Sequence, residues 1–324
     1  MQKRLSSVLC LLVTAPLAAQ LQYTAGLVSA TELRAQTTGI GGNTRTVPAN
    51  TDLSAGRTLS STSSLAAATT TVTFLHSGTG PTVVTIQESC TAAFVPTQPA
   101  GASTGPHSTR FTLRSSNQSG GRLRVSFTTD RIGGSTAGSS SVDIGANGSV
   151  EFTAQRGQNF AQDFFVAIDS NGLPILTTTG VGAGAIGASA TIGTTLVLRF
   201  EPATACATTR YGPGCGPTLS LSERFVGATK DVTFRITGAP PLALGVEAIG
   251  LVRANLPIPG TNCVLLTQPV VTLSFGIDFN GSGEITHQVP YDFPFTLDVQ
   301  DVAVQSGGGS IVLITSDALE VVCR

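Results

Sequence analysis

Arg122-Leu123-Arg124-Val125-Ser126-Phe127-Thr128 alternates polar and apolar side chains along its whole length. Successive side chains of an extended strand point to opposite faces, so Leu123, Val125 and Phe127 share one face. One apolar face and one polar face suit an antiparallel sheet that covers a core on one side. Strands buried on both faces read instead as continuous apolar runs. The same period recurs at Leu196, Leu198 and Phe200, at Val232, Phe234 and Ile236, and at Phe295, Leu297 and Val299. Thr and Val dominate these runs, as strands prefer. No stretch carries convincing helical spacing.

Turn chemistry fills the gaps. Asn147-Gly148, Asn171-Gly172 and Asn280-Gly281 each separate two patterned runs. Asn-Gly supplies the positive φ values of a tight hairpin, so hairpins are predicted at Val142–Phe152, Phe165–Leu176 and Leu273–Val289. Many short strands with Gly, Pro and Asn turns indicate an all-β chain. The expected architecture is two antiparallel β-sandwich domains in tandem, Ig-like or jelly-roll-like. The expected spans are 71–205 and 218–324, joined by a Cys/Gly/Pro-rich linker at 206–217. Residues 20–70 are rich in Ser, Thr, Ala and Gly and read either as a leader or as edge strands around Leu53 and Leu59.

Met1-Gln2-Lys3-Arg4 followed by the uncharged run Leu5–Leu17 and by Ala18-Ala19 has the order of a signal peptide, with cleavage after residue 19. The apolar run is shorter than the roughly 20 residues a membrane span needs. Secretion, or display on the cell surface, is therefore expected, with no transmembrane segment after cleavage. Export also changes how Cys90, Cys206, Cys215, Cys263 and Cys323 are read, since cysteines in an oxidising compartment pair, and five is an odd number.

Charged residues make up 11% of the 324-residue chain, against about 25% in an average domain, and the net charge is -1. No basic face can meet phosphates, so nucleic acid is excluded as a partner. Hydrophobic residues at 41% exclude a disordered chain.

Catalytic and ligand motifs are sparse. Gly101-Ala102-Ser103-Thr104-Gly105 matches the nucleophile elbow, with His107 close behind. That elbow needs a strand before Ser103 and a helix after it, and Pro96, Pro99 and Pro106 surround it instead. Ser103 and His107 thus stand as weak catalytic candidates against a plain loop. Gly182-Ala183-Gly184-Ala185-Ile186-Gly187 matches a dinucleotide fingerprint without the strand–helix context, and no cofactor is expected. Asp278-Phe279-Asn280-Gly281-Ser282-Gly283 resembles the start of a calcium loop, but Val289 stands where the bidentate Glu belongs. Asp278 and Asn280 are weak calcium candidates in what reads foremost as a turn, and Asp169-Ser170-Asn171-Gly172 is a weaker one of the same kind. His76, His107 and His287 form no close pair, and the cysteines lack the C-x₂-C spacing of a zinc site. Trp is absent and 15 of the aromatics are Phe, which leaves few amphipathic rings for stacking on sugars. Phe165, Phe200, Phe234 and Phe295 read as core.

From Tyr211-Gly-Pro-Gly-Cys215 onward the pattern continues with Gly238-Ala-Pro-Pro, Asn262-Cys263-Val-Leu-Leu266 and Ser316-Asp-Ala-Leu-Glu-Val321. This resembles a β-module at the C-terminus of secreted proteins of planctomycete-type bacteria. The family has no established activity to carry over. Asn262 stands where that pattern has Gly, and Cys206 and Cys323 are additions to it. The resemblance implies a bridge between Cys215 and Cys263. Cys323 shares the parity of Leu319 and Val321 and should face the core. It would pair with Cys206 and leave Cys90 free, or Cys90 would pair with Cys206 and strand Cys323. The expected function is a secreted or surface-bound structural or interaction protein without catalytic activity, its C-terminal module serving sorting or attachment. An extracellular carbohydrate-binding module is the alternative, and a serine hydrolase the third reading. The partner would be an extracellular protein or polysaccharide.

Overall fold

A computed structural model describes residues 23–30, 33–38, 41–48, 51–53, 55–76, 82–115, 120–132, 134–168, 171–203, 205–291, 293–307 and 310–323. The signal-peptide segment 1–19 and Asp169 lie outside them. The described residues form an all-β chain. Its first strands are β1 (Tyr23–Ala30), β2 (Leu33–Thr38), β3 (Thr44–Val47), β4 (Arg57–Thr62), β5 (Ala66–His76), β6 (Thr82–Ala92) and β7 (Gly101–Ser103). There follow β8 (His107–Ser115), β9 (Gly120–Ile132), β10 (Ser135–Ile144), β11 (Phe152–Gln155), β12 (Phe160–Ala167), β13 (Leu173–Gly184) and β14 (Ala190–Pro202). The last are β15 (Ala207–Tyr211), β16 (Thr218–Val226), β17 (Thr229–Thr237), β18 (Leu244–Pro257), β19 (Val264–Gly276), β20 (Gly283–Pro290), β21 (Phe295–Gly307) and β22 (Ser310–Cys323).

The strands up to β14 build an eight-stranded and a six-stranded sheet, and those from β15 onward a five-stranded and a three-stranded sheet. All named pairs are antiparallel, as the alternation demands. In the first sheet pair, Leu123, Val125 and Phe127 of β9 and Leu196, Leu198 and Phe200 of β14 meet Phe111 and Leu113 of β8 and Ile175 of β13. A second cluster, mostly alanine with Val181 and Ile192, closes the other end of the same interior. In the second sheet pair, Val232 and Phe234 of β17 pack on Val299 of β21 and on Leu319 and Val321 of β22. Large side chains face inward because the period-two pattern leaves them no other face; burying one contributes about 1.5–3 kcal/mol.

The stretch 20–70 supplies β1 to β4 and the start of β5, so the first sheet pair begins at Tyr23 and not at 71. Leu53 is fully buried, which a detached leader would not allow. The 206–217 stretch is likewise structured, since β15 pairs with β22. Phe165 is half-exposed and packs on the ring of Tyr291, outside the core expected for it.

Of the three predicted hairpins, one forms. Val142 pairs with Phe152 across Asn147-Gly148, whose amides are held by the Asp143 carboxylate. Asn171-Gly172 instead lies between β12 of the six-stranded sheet and β13 of the eight-stranded sheet. Asn280-Gly281 carries the chain from β19 of the five-stranded sheet to β20 of the three-stranded one. Gly172 and Gly281 do take positive φ, at 88° and 75°. The local turn is as expected, but the strands it joins pair elsewhere.

Candidate functional site

Ser103 ends β7, and its hydroxyl turns back to accept the Gly105 amide at 3.2 Å. The chain then enters β8, a strand, where a nucleophile elbow requires a helix. His107 is buried, and both its ring nitrogens are engaged. Nδ1 lies 3.1 Å from the Thr104 carbonyl and Nε2 lies 3.1 Å from the Thr179 hydroxyl. A carbonyl can only accept, so the proton sits on Nδ1 and Thr179 donates to Nε2. The candidate nucleophile and the candidate base therefore serve different partners.

What faces His107 is Glu88 of β6, with 3.5 Å between Nδ1 and Oε1. Glu88 is 4% exposed. Thr104 donates to its Oε1 at 2.8 Å and Thr194 approaches its Oε2 at 3.5 Å. Burial raises the Glu88 carboxyl to about 7, against the pull of those hydroxyls. Burial also lowers the His107 imidazole. Both shifts disfavour charge, and each side chain makes its hydrogen bonds with threonines and backbone, so this is a pair of neutral neighbours and not an ion pair. With Thr109, Thr177, Thr179 and Thr194 it forms a polar layer between the large-side-chain cluster and the alanine-rich one. Cys90, two residues on and also inward, is a free buried thiol. Burial, seconded by Glu88, pushes it up to about 12, so it stays protonated and unreactive.

The second interior repeats the motif. Glu247 of β18 and Asp301 of β21 are cross-strand partners, and both are fully buried. His287 of β20 reaches across from the opposite sheet to place Nε2 at 2.5 Å from Glu247 Oε2. That hydrogen bond raises the imidazole, so His287 carries charge more readily than an exposed histidine. Asp301 is raised to about 8 by burial and then by Glu247.

A third cluster sits beside the bridge Cys206–Cys323. Lys230 Nζ, 2% exposed as a residue, lies 2.8 Å from Cys206 Sγ and 3.0 Å from Glu223 Oε1. Glu223 Oε2 accepts the Cys206 amide at 2.9 Å. The ligand atoms of Cys206, Glu223 and Cys323 lie within 4.8 Å of one another, the one such trio among the described residues. The Lys230 ammonium already stands between sulfur and carboxylate, where a metal cation would have to sit.

The remaining candidates resolve as turns. Asp278 Oδ1 accepts the Asn280 and Ser282 amides at 2.8 and 2.9 Å, and those bonds hold its carboxyl below the usual range. Asn280 contributes its backbone to that turn. Gly182 and Gly184 lie in β13, and β14 follows Gly187 where a phosphate-binding helix would start. The bridges are Cys206–Cys323 and Cys215–Cys263, with Cys90 left over.

One hollow of about 380 Å³ opens at the end of the six-stranded sheet. The hydroxyls of Thr62, Ser63, Ser64, Thr91, Ser189 and Thr191 line it. Phe94, whose amide donates to Ser189 Oγ at 3.0 Å, is 38% exposed.

Glu88, Lys230, Glu247 and Asp301 belong to no sequence motif. A signal for two of them lies in parity: Glu88 shares it with Val84, Ile86 and Cys90, and Lys230 with Val232, Phe234 and Ile236.

No family model matches the chain, and no curated protein matches it. Among solved structures, a GH2 β-galacturonidase from Eisenbergiella tayi bound to glycerol aligns at 11% identity, with a TM-score of 0.16. The alignment covers 93% of this chain and 43% of that one, so the chain spans less than half that protein's length. At such a TM-score the likeness carries no argument about activity.

Proposed function

We propose that the chain is an exported scaffold of two β-sandwich units in tandem that works by contact, its C-terminal unit serving sorting or attachment. The observation that carries this reading is the bridge Cys206–Cys323. Cys206 stands just before β15 and Cys323 is the last residue of β22, and β15 pairs with β22. The second sheet pair is thus stapled where the chain enters it and where the chain leaves it. A unit closed in this way suits reuse behind different partners, and suits an oxidising compartment. The test is to delete 206–324 and follow the remainder during export. The scaffold reading expects loss of surface retention or of export; unchanged export and retention would remove the sorting role.

A carbohydrate-binding reading draws on the hydroxyl-lined hollow and on the partly exposed Phe94, whose backbone amide donates to Ser189 of that lining. Neutral sugars are bound by hydroxyl partners and an apolar ring face. A glycan array read with wild type and with Phe94→Ala tests it: Phe94-dependent binding supports the reading, and background signal ends it.

A further inference from the structure

Of the two bridges, one touches a charge. Thr315 N lies 3.1 Å from Cys215 Sγ, and Cys263 Sγ lies 3.4 Å from the Leu313 carbonyl. Cys206 Sγ instead carries the Lys230 ammonium at 2.8 Å. Lys230 is one of two lysines in the whole chain, and it is spent inside the second sheet pair. Glu223 holds the arrangement from two sides, taking Nζ on Oε1 and the Cys206 amide on Oε2. The other elements around Cys206 present apolar groups: Val289 from β20, Phe295 and Leu297 from β21, and Leu319 and Val321 from β22. Among the described residues, the titratable groups facing this sulfur are therefore Lys230, Glu223 and Cys323. A cation in contact with sulfur, in apolar surroundings, favours thiolate over thiol.

We propose that Cys206 is a reactive thiolate site: with its bridge to Cys323 open, Lys230 holds Sγ of Cys206 deprotonated, poised to attack a disulfide donor. The thiolate attacks one sulfur of the donor RS–SR, forming Cys206–S–SR and releasing RS⁻. Cys323 then gives its proton to solvent and attacks the Cys206 sulfur, displacing the second RS⁻. Two protein thiols are oxidised to the bridge, and the donor disulfide is reduced to two thiols. Lys230 acts as a positioning residue and Cys206 as the nucleophile. Cys206 directly precedes β15, the edge strand of its sheet, and is itself buried at 8% exposed, so attack on a donor requires that edge to part from β22.

The test uses the full chain with Cys323→Ser and Cys90→Ala, so that Cys206 is the one free thiol of the exported protein and Cys215–Cys263 still closes the second sheet pair. Thiolate absorbance in the ultraviolet is followed against pH. The midpoint is expected at least one pH unit below the usual value of about 8.5. Adding Lys230→Met should move it to 8.5 or above, Lys230→Arg should restore the low value, and Glu223→Gln should lower it further. Glutathione disulfide and an oxidised Cys-X-X-Cys protein are then offered at pH 6.5. The mixed disulfide on Cys206 should form at least tenfold faster than in the Lys230→Met form, and the faster donor identifies the source. A midpoint at or above 8.5 with Lys230 present, or one that Lys230→Met leaves unmoved, overturns the proposal. The Arg and Gln variants keep the charge contacts testable if the Met variant fails to fold.

Discussion

The Glu88 carboxyl is raised to about 7 from an ordinary 4.5, chiefly by burial. Below pH 4.5 the folded and unfolded chains both hold this proton. Between pH 4.5 and 7 the unfolded chain releases it while the folded chain keeps it. Stability therefore falls as pH rises through that window and levels off above 7. The scale is about 3 kcal/mol, since each tenfold change in proton affinity is worth about 1.36 kcal/mol. Asp301, raised to about 8, adds a fall of the same sign between roughly pH 4 and 8. Glu88→Gln keeps an acceptor for Thr104 and removes the titration. Urea unfolding from pH 4 to 8 should show a shallower decline for Glu88→Gln, and for Asp301→Asn a gain in stability above pH 7. A steeper decline in either variant would show that these carboxyls are charged when folded. Such residues are legible in the sequence only by parity. Glu88 occupies an inward position between Ile86 and Cys90, and an inward acid could mark either a site or a mistaken strand. Its partner His107 comes from the opposite sheet, and no spacing along the chain announces a contact across an interior.

Strands are the most legible level, because alternation is local and the core enforces it. Leu123, Val125 and Phe127 are each fully buried, as their period requires. Pairing is less legible, because an Asn-Gly turn fixes the local reversal and not the sheet that the next strand joins. Asn147-Gly148 closes a hairpin since β10 and β11 both expose one face and bury the other in the same sheet. At Asn280-Gly281, β19 pairs with β18 and β20 with β17. Close approach also ties elements together at Gly121 in β9. A Cβ there would stand 2.3 Å from the Glu201 carbonyl and 2.6 Å from the Phe200 ring. Backbone cannot yield cheaply, so Gly121→Ala should cost about 1–3 kcal/mol or more. Gly148 has φ of 88° with nothing within 4 Å of the added Cβ. Gly148→Ala should cost about 1 kcal/mol from backbone strain alone. Thermal unfolding of the two variants side by side checks the order; equal costs would contradict the steric account of Gly121.

At the scale of the molecule, the two sheet pairs meet through rings. Phe225, at the end of β16, packs against Tyr291, which packs in turn against Phe165 of β12. Gly120 of β9 leaves room for Phe225: a Cβ on Gly120 would lie 2.9 Å from the Phe225 Cβ. Phe225→Ala should therefore loosen the junction while leaving each interior intact. Calorimetry should then show two separated transitions where the parent shows overlapping ones; a single unshifted transition would mean the rings carry no coupling. On the proposed function, the exported β scaffold is closed by its own bridges. Non-reducing peptide mapping of the protein recovered from outside the cytoplasmic membrane tests it most directly. The prediction is a mature N-terminus at Gln20, linked peptides Cys206–Cys323 and Cys215–Cys263, and an unlinked Cys90. A chain still carrying Met1 with all its thiols free, or a Cys90–Cys206 link, would contradict it.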